Sequence, residues 1–186
     1  MNGPFKWRSW LGVGVGFFLL YGVLNFVAAG VVPSMLLIGS EAGSYGAGAM
    51  VGPKNNGGGV VFDGQGDTAL LGQSLYDLHR VNPNLDALLV SSMVSMCAMM
   101  MGLAVLYMAV AWFAVRRAQR WALWTLLVGG LISLPYYFVI AADYAAHGAP
   151  WERGLISLFP LYLPVVLGFA AAWWGLRRPH ALQREL

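Results

Sequence analysis

The sequence predicts an all-α integral membrane protein: a four-helix bundle with a Gly-rich extracytoplasmic loop that contains one short amphipathic helix. Three observations predict it. Of 186 residues, 59% are hydrophobic and only 10% are charged, against roughly 25% charged in a soluble domain. Residues 9–40, 87–115, 121–142 and 154–176, runs of 32, 29, 22 and 23 residues, contain no Asp, Glu, Lys or Arg. About 20 apolar residues cross a hydrocarbon core of ~30 Å, and backbone in lipid must satisfy its own hydrogen bonds, so each run is helical. Finally, the charges sort by side. Lys6, Arg8, Arg116, Arg117, Arg120, Arg177, Arg178 and Arg184, eight of the 11 basic residues, fall on one side of such a bundle. Seven of the eight acidic residues, all but Glu185, fall on the other. The positive-inside rule makes the basic side cytoplasmic and puts both termini there.

The length suits a single membrane domain, 1–186. A net charge of +3, with basic residues scattered at helix ends, is no nucleic-acid footprint. The lone cysteine, Cys97, excludes an intramolecular disulfide and a Cys-rich zinc site.

The first span is expected at 10–32, because Gly30 and Pro33 are natural places for the helix to end or bend. A cleaved signal peptide competes with a retained anchor, since Lys6 and Arg8 precede the run and Val27-Ala28-Ala29 resembles a cleavage site. The run exceeds the roughly 7–15 residues of a signal h-region, which favours the anchor. The outer loop, about 33–82, is Gly-rich up to Gly66 and has a candidate hairpin between 49–51 and 60–62. In residues 68–80 the spacing of Leu71, Leu75 and Leu78 predicts the amphipathic helix, with Asp67 as its N-cap. Asn82 and Pro83 then read as the cap and first position of span two, 87–115. Spans three and four follow at 121–142 and 154–176. Trp7, Trp10, Trp112, Trp121, Trp124, Trp173 and Trp174 mark the inner interface, and Trp151 alone lies outside.

Chemistry-bearing residues collect on the outer side. Asp143 closes span three, and an ionisable residue at membrane depth is a functional candidate; at the interface it is an ordinary helix-end charge. His147 and Arg153 are its candidate partners. Pro135, Pro160 and Pro164 tend to kink spans three and four. Such kinks can open an outward-facing pocket lined by Tyr136, Tyr137, Tyr144 and Tyr162. Asp77, His79 and Arg80 form a second polar cluster, although i and i+2 on a helix do not share a face, which makes Asp77 and His79 a poor metal pair. Asp63-Gly-Gln-Gly-Asp67 lacks the ligands of a calcium loop and reads as a turn. Met93, Met96, Cys97 and Met100 share one face of span two. Soft sulfur suits copper(I), but methionine and cysteine there read more simply as packing, and no metal site is assigned. Ser91, Ser92 and Ser95 offer hydroxyls for bonds across helices. Gly12 and Gly16 form a Gly-xxx-Gly pair with Gly14 beside it, which permits close helix approach, more simply within the bundle than to another subunit. No catalytic motif is present, and no cofactor is indicated.

Asn82-Pro83-Asn84-Leu85-Asp86 leads into a small-residue helix. Arg116-Arg117-Ala118-Gln119-Arg120-Trp121-Ala122-Leu123-Trp124 then makes a tight turn into a helix ending in aromatic residues and Asp143. Across about 82–176 this resembles small four-span bacterial membrane proteins of the DoxX-like kind. The resemblance implies a four-helix bundle in the bacterial inner membrane and carries no catalytic residues. Two functions are expected from the whole, ahead of a third, a transporter or channel, against which the charge-poor membrane interior argues. One is a non-catalytic accessory or partner subunit of a membrane assembly, with a membrane protein or a second copy as partner. The other is a binder of, or enzyme acting on, a small lipid or quinone-like molecule in the pocket between spans three and four.

Overall fold

The first helix, α1 (Trp10–Ile38), begins where Ser9 accepts the Gly12 N–H on its Oγ at 3.1 Å, an N-cap bond to the third helical residue. The computed structural model describes residues 7, 9–38, 64–73, 77 and 81–177. The candidate hairpin, Asp63, His79 and Arg80 lie outside them, as does the side chain of Arg153, while residues 64–67, expected as part of a turn, are helical. α1 does not stop at Gly30 or Pro33, as expected from sequence, but continues to Ile38. A transmembrane helix tolerates a proline because neighbouring groups re-satisfy the freed carbonyl.

The loop helix, α2, spans Gly64–Leu71 and not 68–80. Gly72 adopts φ 70°, a left-handed conformation that glycine takes without steric cost and that ends a helix. Asp67 therefore lies inside α2 and not at its cap. Pro83 opens α3 (Pro83–Phe113), as its fixed φ favours. A single 3-10 turn at Val115–Arg117 follows. Ala118 takes φ 61° there, and its N–H donates to the Val115 carbonyl at 2.8 Å, which turns the chain back within six residues. Then come α4 (Arg120–Leu131) and α5 (Leu134–Ala146), separated by a break at Ile132 and Ser133 just before Pro135. α5 ends on Gly148 at φ 70°, with Gly148 N–H donating to Ala145 O (3.1 Å) and Ala149 N–H to Tyr144 O (2.9 Å), the paired bonds of a Schellman cap. α6 (Glu152–Arg177) contains Pro160 and Pro164 without interruption. So only the proline of span three coincides with a break.

Among the described residues four segments are long and apolar enough to cross a membrane: Trp10–Val31, Ser91–Arg117, Arg120–Ala146 and Phe159–Arg177. The described residues form helices and turns only. The chain is a multi-pass membrane protein.

The fold divides into two units. The first comprises Met1–Phe26, Gly102–Ser133 and Phe159–Leu186. In it all four spans pack around Val15, Phe18, Ala111, Val115, Leu123, Leu126, Val165 and Ala172. Neighbouring spans are antiparallel. Leu11 lies against Gly175 while Gly14 lies against Gly168 and Ala172, so residue numbers rise on α1 as they fall on α6. Trp7 meets Trp112 and Phe18 meets Tyr107 in the same sense on α1 and α3. Trp124 packs on Trp173 and Gly130 on Val165 between spans three and four. Spans one and four approach closely, since a Cβ at Gly14 would fall 2.6 Å from the backbone nitrogen of Ala172. Small residues allow this approach, and van der Waals contact stabilises it where lipid offers no hydrophobic driving force.

The second unit comprises Val27–Met101 and Leu134–Leu158. Its described buried side chains are few and mostly small: Ala29, Cys97, Ala141, Tyr144 and Ala149. Cys97 is a free thiol that packs as a small apolar side chain. Ser95 donates to the Ser91 carbonyl of its own helix at 2.9 Å, and Ser91 and Ser92 are exposed. Serines in helices often use such a local bond in place of a cross-helix one.

Candidate functional site

The sequence places several polar side chains far from any helix end, and in lipid each needs a partner. In the first unit they converge on span three. The Tyr107 hydroxyl of α3 donates to the Leu126 carbonyl at 3.1 Å. The Tyr21 hydroxyl of α1 donates to the Gly130 carbonyl, one turn further on, at 3.4 Å. The two phenol rings pack on each other with centroids 4.9 Å apart. Asn25, one turn beyond Tyr21, donates its amide to the Tyr21 carbonyl at 2.8 Å. Ser133, within the break of span three, shares a 2.7 Å hydrogen bond with the Tyr162 hydroxyl of α6. Each span thus contributes to a polar layer that begins at Leu126 and reaches the break.

Gly130 makes this layer fit. A Cβ there would lie 2.8 Å from a Val165 methyl and 3.2 Å from the Tyr107 hydroxyl. Only a residue without a side chain lets both neighbours approach. Replacing Tyr107 with Phe is expected to cost about 0.6–1.7 kcal/mol in a mixed-micelle unfolding titration, the range for hydrogen bonds in membrane bundles. Tyr21→Phe is expected to cost less, since its bond is longer.

The expected outer site divides differently. Tyr162 is buried and bonded to Ser133 in the first unit. Tyr136, Tyr137, Asp143, Tyr144 and His147 belong to the second. There Asp143 and His147 are one turn apart on α5. The His147 Nδ1 lies 2.8 Å from the Asp143 carbonyl and 3.7 Å from its carboxylate, and both side chains are exposed (63% and 59%). The two groups form an i,i+4 pair in the last turn of α5 and beyond it. Tyr136 is 69% exposed, whereas Tyr137 is half-buried and Tyr144 buried. Asp77 is exposed.

Sequence reasoning missed Tyr21, Asn25 and Tyr107. The available signal was their position: polar side chains in mid-span that belong neither to a charge cluster nor to an interface belt. Among the described residues no three His, Cys, Asp or Glu side chains could hold a metal. Within the spans the described ionisable Asp and Arg residues lie near the ends, and the hydroxyls of Tyr21 and Tyr107 are committed to backbone carbonyls. The arrangement joins four helices through hydrogen bonds and ring contacts.

Compared with family models, with curated proteins and with solved structures, the chain matches none.

Proposed function

We propose that the protein is a non-catalytic partner subunit of a membrane assembly, with both termini in the cytoplasm of a bacterial inner membrane. The observation that carries this reading is the outward face of α1. Val13, Leu20, Val23, Leu24 and Val27 are exposed along one side of the helix. Gly16 lies on the same side, and a Cβ there would meet nothing within 4 Å. The bundle gives Gly16 no packing reason to lack a side chain, in contrast to Gly14. A glycine among valines and leucines on an outward face suits the close approach of another helix, whose identity is a second copy of this chain or another membrane protein. The uncharged span interiors support a role other than ion-coupled transport, which generally uses intramembrane ionisable groups. The arginine distribution supports the orientation.

The second reading, a small lipid or quinone-like ligand between spans three and four, draws on the Ser133–Tyr162 hydroxyl pair beside the break. Native mass spectrometry of gently extracted protein tests both. The expected result is a larger assembly from the wild type and a single chain from Gly16→Leu, whose unfolding midpoint stays unchanged. An assembly that survives Gly16→Leu overturns this face as the contact. A lone wild-type chain that carries a small apolar molecule moves the assignment to the second reading.

A further inference from the structure

The ends of spans two and four repeat one seven-residue pattern. Ala111-Trp112-Phe113-Ala114-Val115-Arg116-Arg117 matches Ala172-Trp173-Trp174-Gly175-Leu176-Arg177-Arg178 at the alanine, the first tryptophan and both arginines. The other positions exchange aromatic for aromatic, small for small and aliphatic for aliphatic. The described side chains repeat as well. Both leading alanines are fully buried, and Phe113 and Trp174 are exposed to nearly the same degree, 58% and 55%. The Arg116 guanidinium lies 4.4 Å over the Trp112 ring and the Arg177 guanidinium 4.6 Å over the Trp173 ring. Each of these tryptophans packs on another, Trp112 on Trp7, just before α1, at 5.7 Å and Trp173 on Trp124 of span three at 5.8 Å. All these residues belong to the first unit.

Two independent stretches of chain therefore build the same kind of object: a guanidinium over one ring of a tryptophan pair at the end of a membrane helix, half-buried at Arg116 and exposed at Arg177. Stacking on a ring leaves the N–H edges of a guanidinium directed sideways, in the fork that matches two phosphate oxygens. Indole rings prefer the headgroup level of a bilayer, which puts the fork at phosphate depth. The stretches that carry the two arginines are basic in sequence: neither 87–142 nor 153–184 contains an Asp or Glu.

We propose that each helical hairpin carries a site for one anionic phospholipid. Arg116 in the first hairpin and Arg177 in the second hold the lipid phosphate, and the paired tryptophans support its glycerol region. The proposal does not depend on the partner reading above.

The test is native mass spectrometry of the delipidated full chain, titrated with phosphatidylglycerol or with phosphatidylcholine of the same acyl chains. Two phosphatidylglycerol molecules are expected to be retained at concentrations where phosphatidylcholine is not. Arg177→Gln is expected to weaken one of the two by about fivefold, the effect of about one basic residue at a membrane surface. Arg116→Gln combined with Arg177→Gln weakens both. Arg120→Gln, which changes an arginine at the same end outside the repeat, leaves both in place. A thermal midpoint equal to that of wild type shows that each variant is folded, and Arg177→Lys, which keeps charge but not the fork, falls between wild type and Arg177→Gln. Equal retention of phosphatidylcholine overturns the proposal. So does an Arg120→Gln effect as large as that of Arg177→Gln, which would mean diffuse surface charge. Displacement of the lipid by inorganic phosphate at matched concentration also overturns it, by making the site one for a free anion.

Discussion

Gly14→Ala is expected to destabilise the bundle by roughly 1–3 kcal/mol or more, the cost of overpacking a filled interior. The added methyl would fall 2.6 Å from both the Cβ and the backbone nitrogen of Ala172, and 2.7 Å from the Gly168 carbonyl oxygen. Two of these three atoms are backbone. No rotamer change relieves the clash, so α1 and α6 must separate along their line of contact. The same line includes Gly175, where a Cβ would meet the Leu11 nitrogen at 2.5 Å. Moving the helices apart at Gly14 therefore loosens contacts beyond that position. An unfolding titration in mixed micelles measures the loss, and Gly16→Ala is the internal control. Gly16 lies two residues away with open space beyond it. Equal midpoints for the two variants would contradict the assigned rotation of α1.

Gly130→Ala is expected to cost a similar amount, but for a reason that can be repaired. The new methyl would meet the Val165 methyl carbons at 2.8 and 2.9 Å, and these are side-chain atoms. Val165→Ala alone leaves a cavity, since Val165 is fully buried. Together the two changes place one methyl at Gly130 where Val165 gives up two, so the double variant is expected to be more stable than the sum of the single effects by about 0.5–3 kcal/mol, the range for residues in contact. Val165→Ala gives no such rescue to Gly14→Ala. A double-mutant cycle that is additive at Gly130 and Val165 would mean that the two helices do not meet there. The cycle also probes the polar layer, because the Tyr107 hydroxyl lies 3.2 Å from the same Cβ position and donates to Leu126.

The three glycines near the start of α1 show how far the sequence could be read. Their spacing announced a close approach, yet three assignments were open: Gly12, Gly14 or Gly16 at the contact, and the bundle or a partner as its object. Gly14 meets span four, whereas a side chain at Gly16 would enter open space. The tyrosines tell the same story. Tyr136, Tyr137 and Tyr162 stood out because they neighbour prolines and Asp143, but the hydroxyls of Tyr21 and Tyr107 are the ones that tie spans one and two to span three. The proline rule was also uneven in outcome. Pro135 coincides with a break, while Pro33, Pro160 and Pro164 sit in unbroken helix.

The number of spans and their approximate limits were determined by the sequence alone. Membrane partition depends on the apolar length of a segment, and that is a sum over residues which needs no knowledge of neighbours. The rotation of each helix about its axis, and hence which glycine meets which backbone and which hydroxyl finds which carbonyl, was decided only by the tertiary structure. A span that is apolar on every side can face lipid or protein with nearly any stripe, because lipid tails are as apolar as leucine. Helix rotation is then set by the few contacts where backbones touch or a hydroxyl must be satisfied, and those exist only once four helices are together.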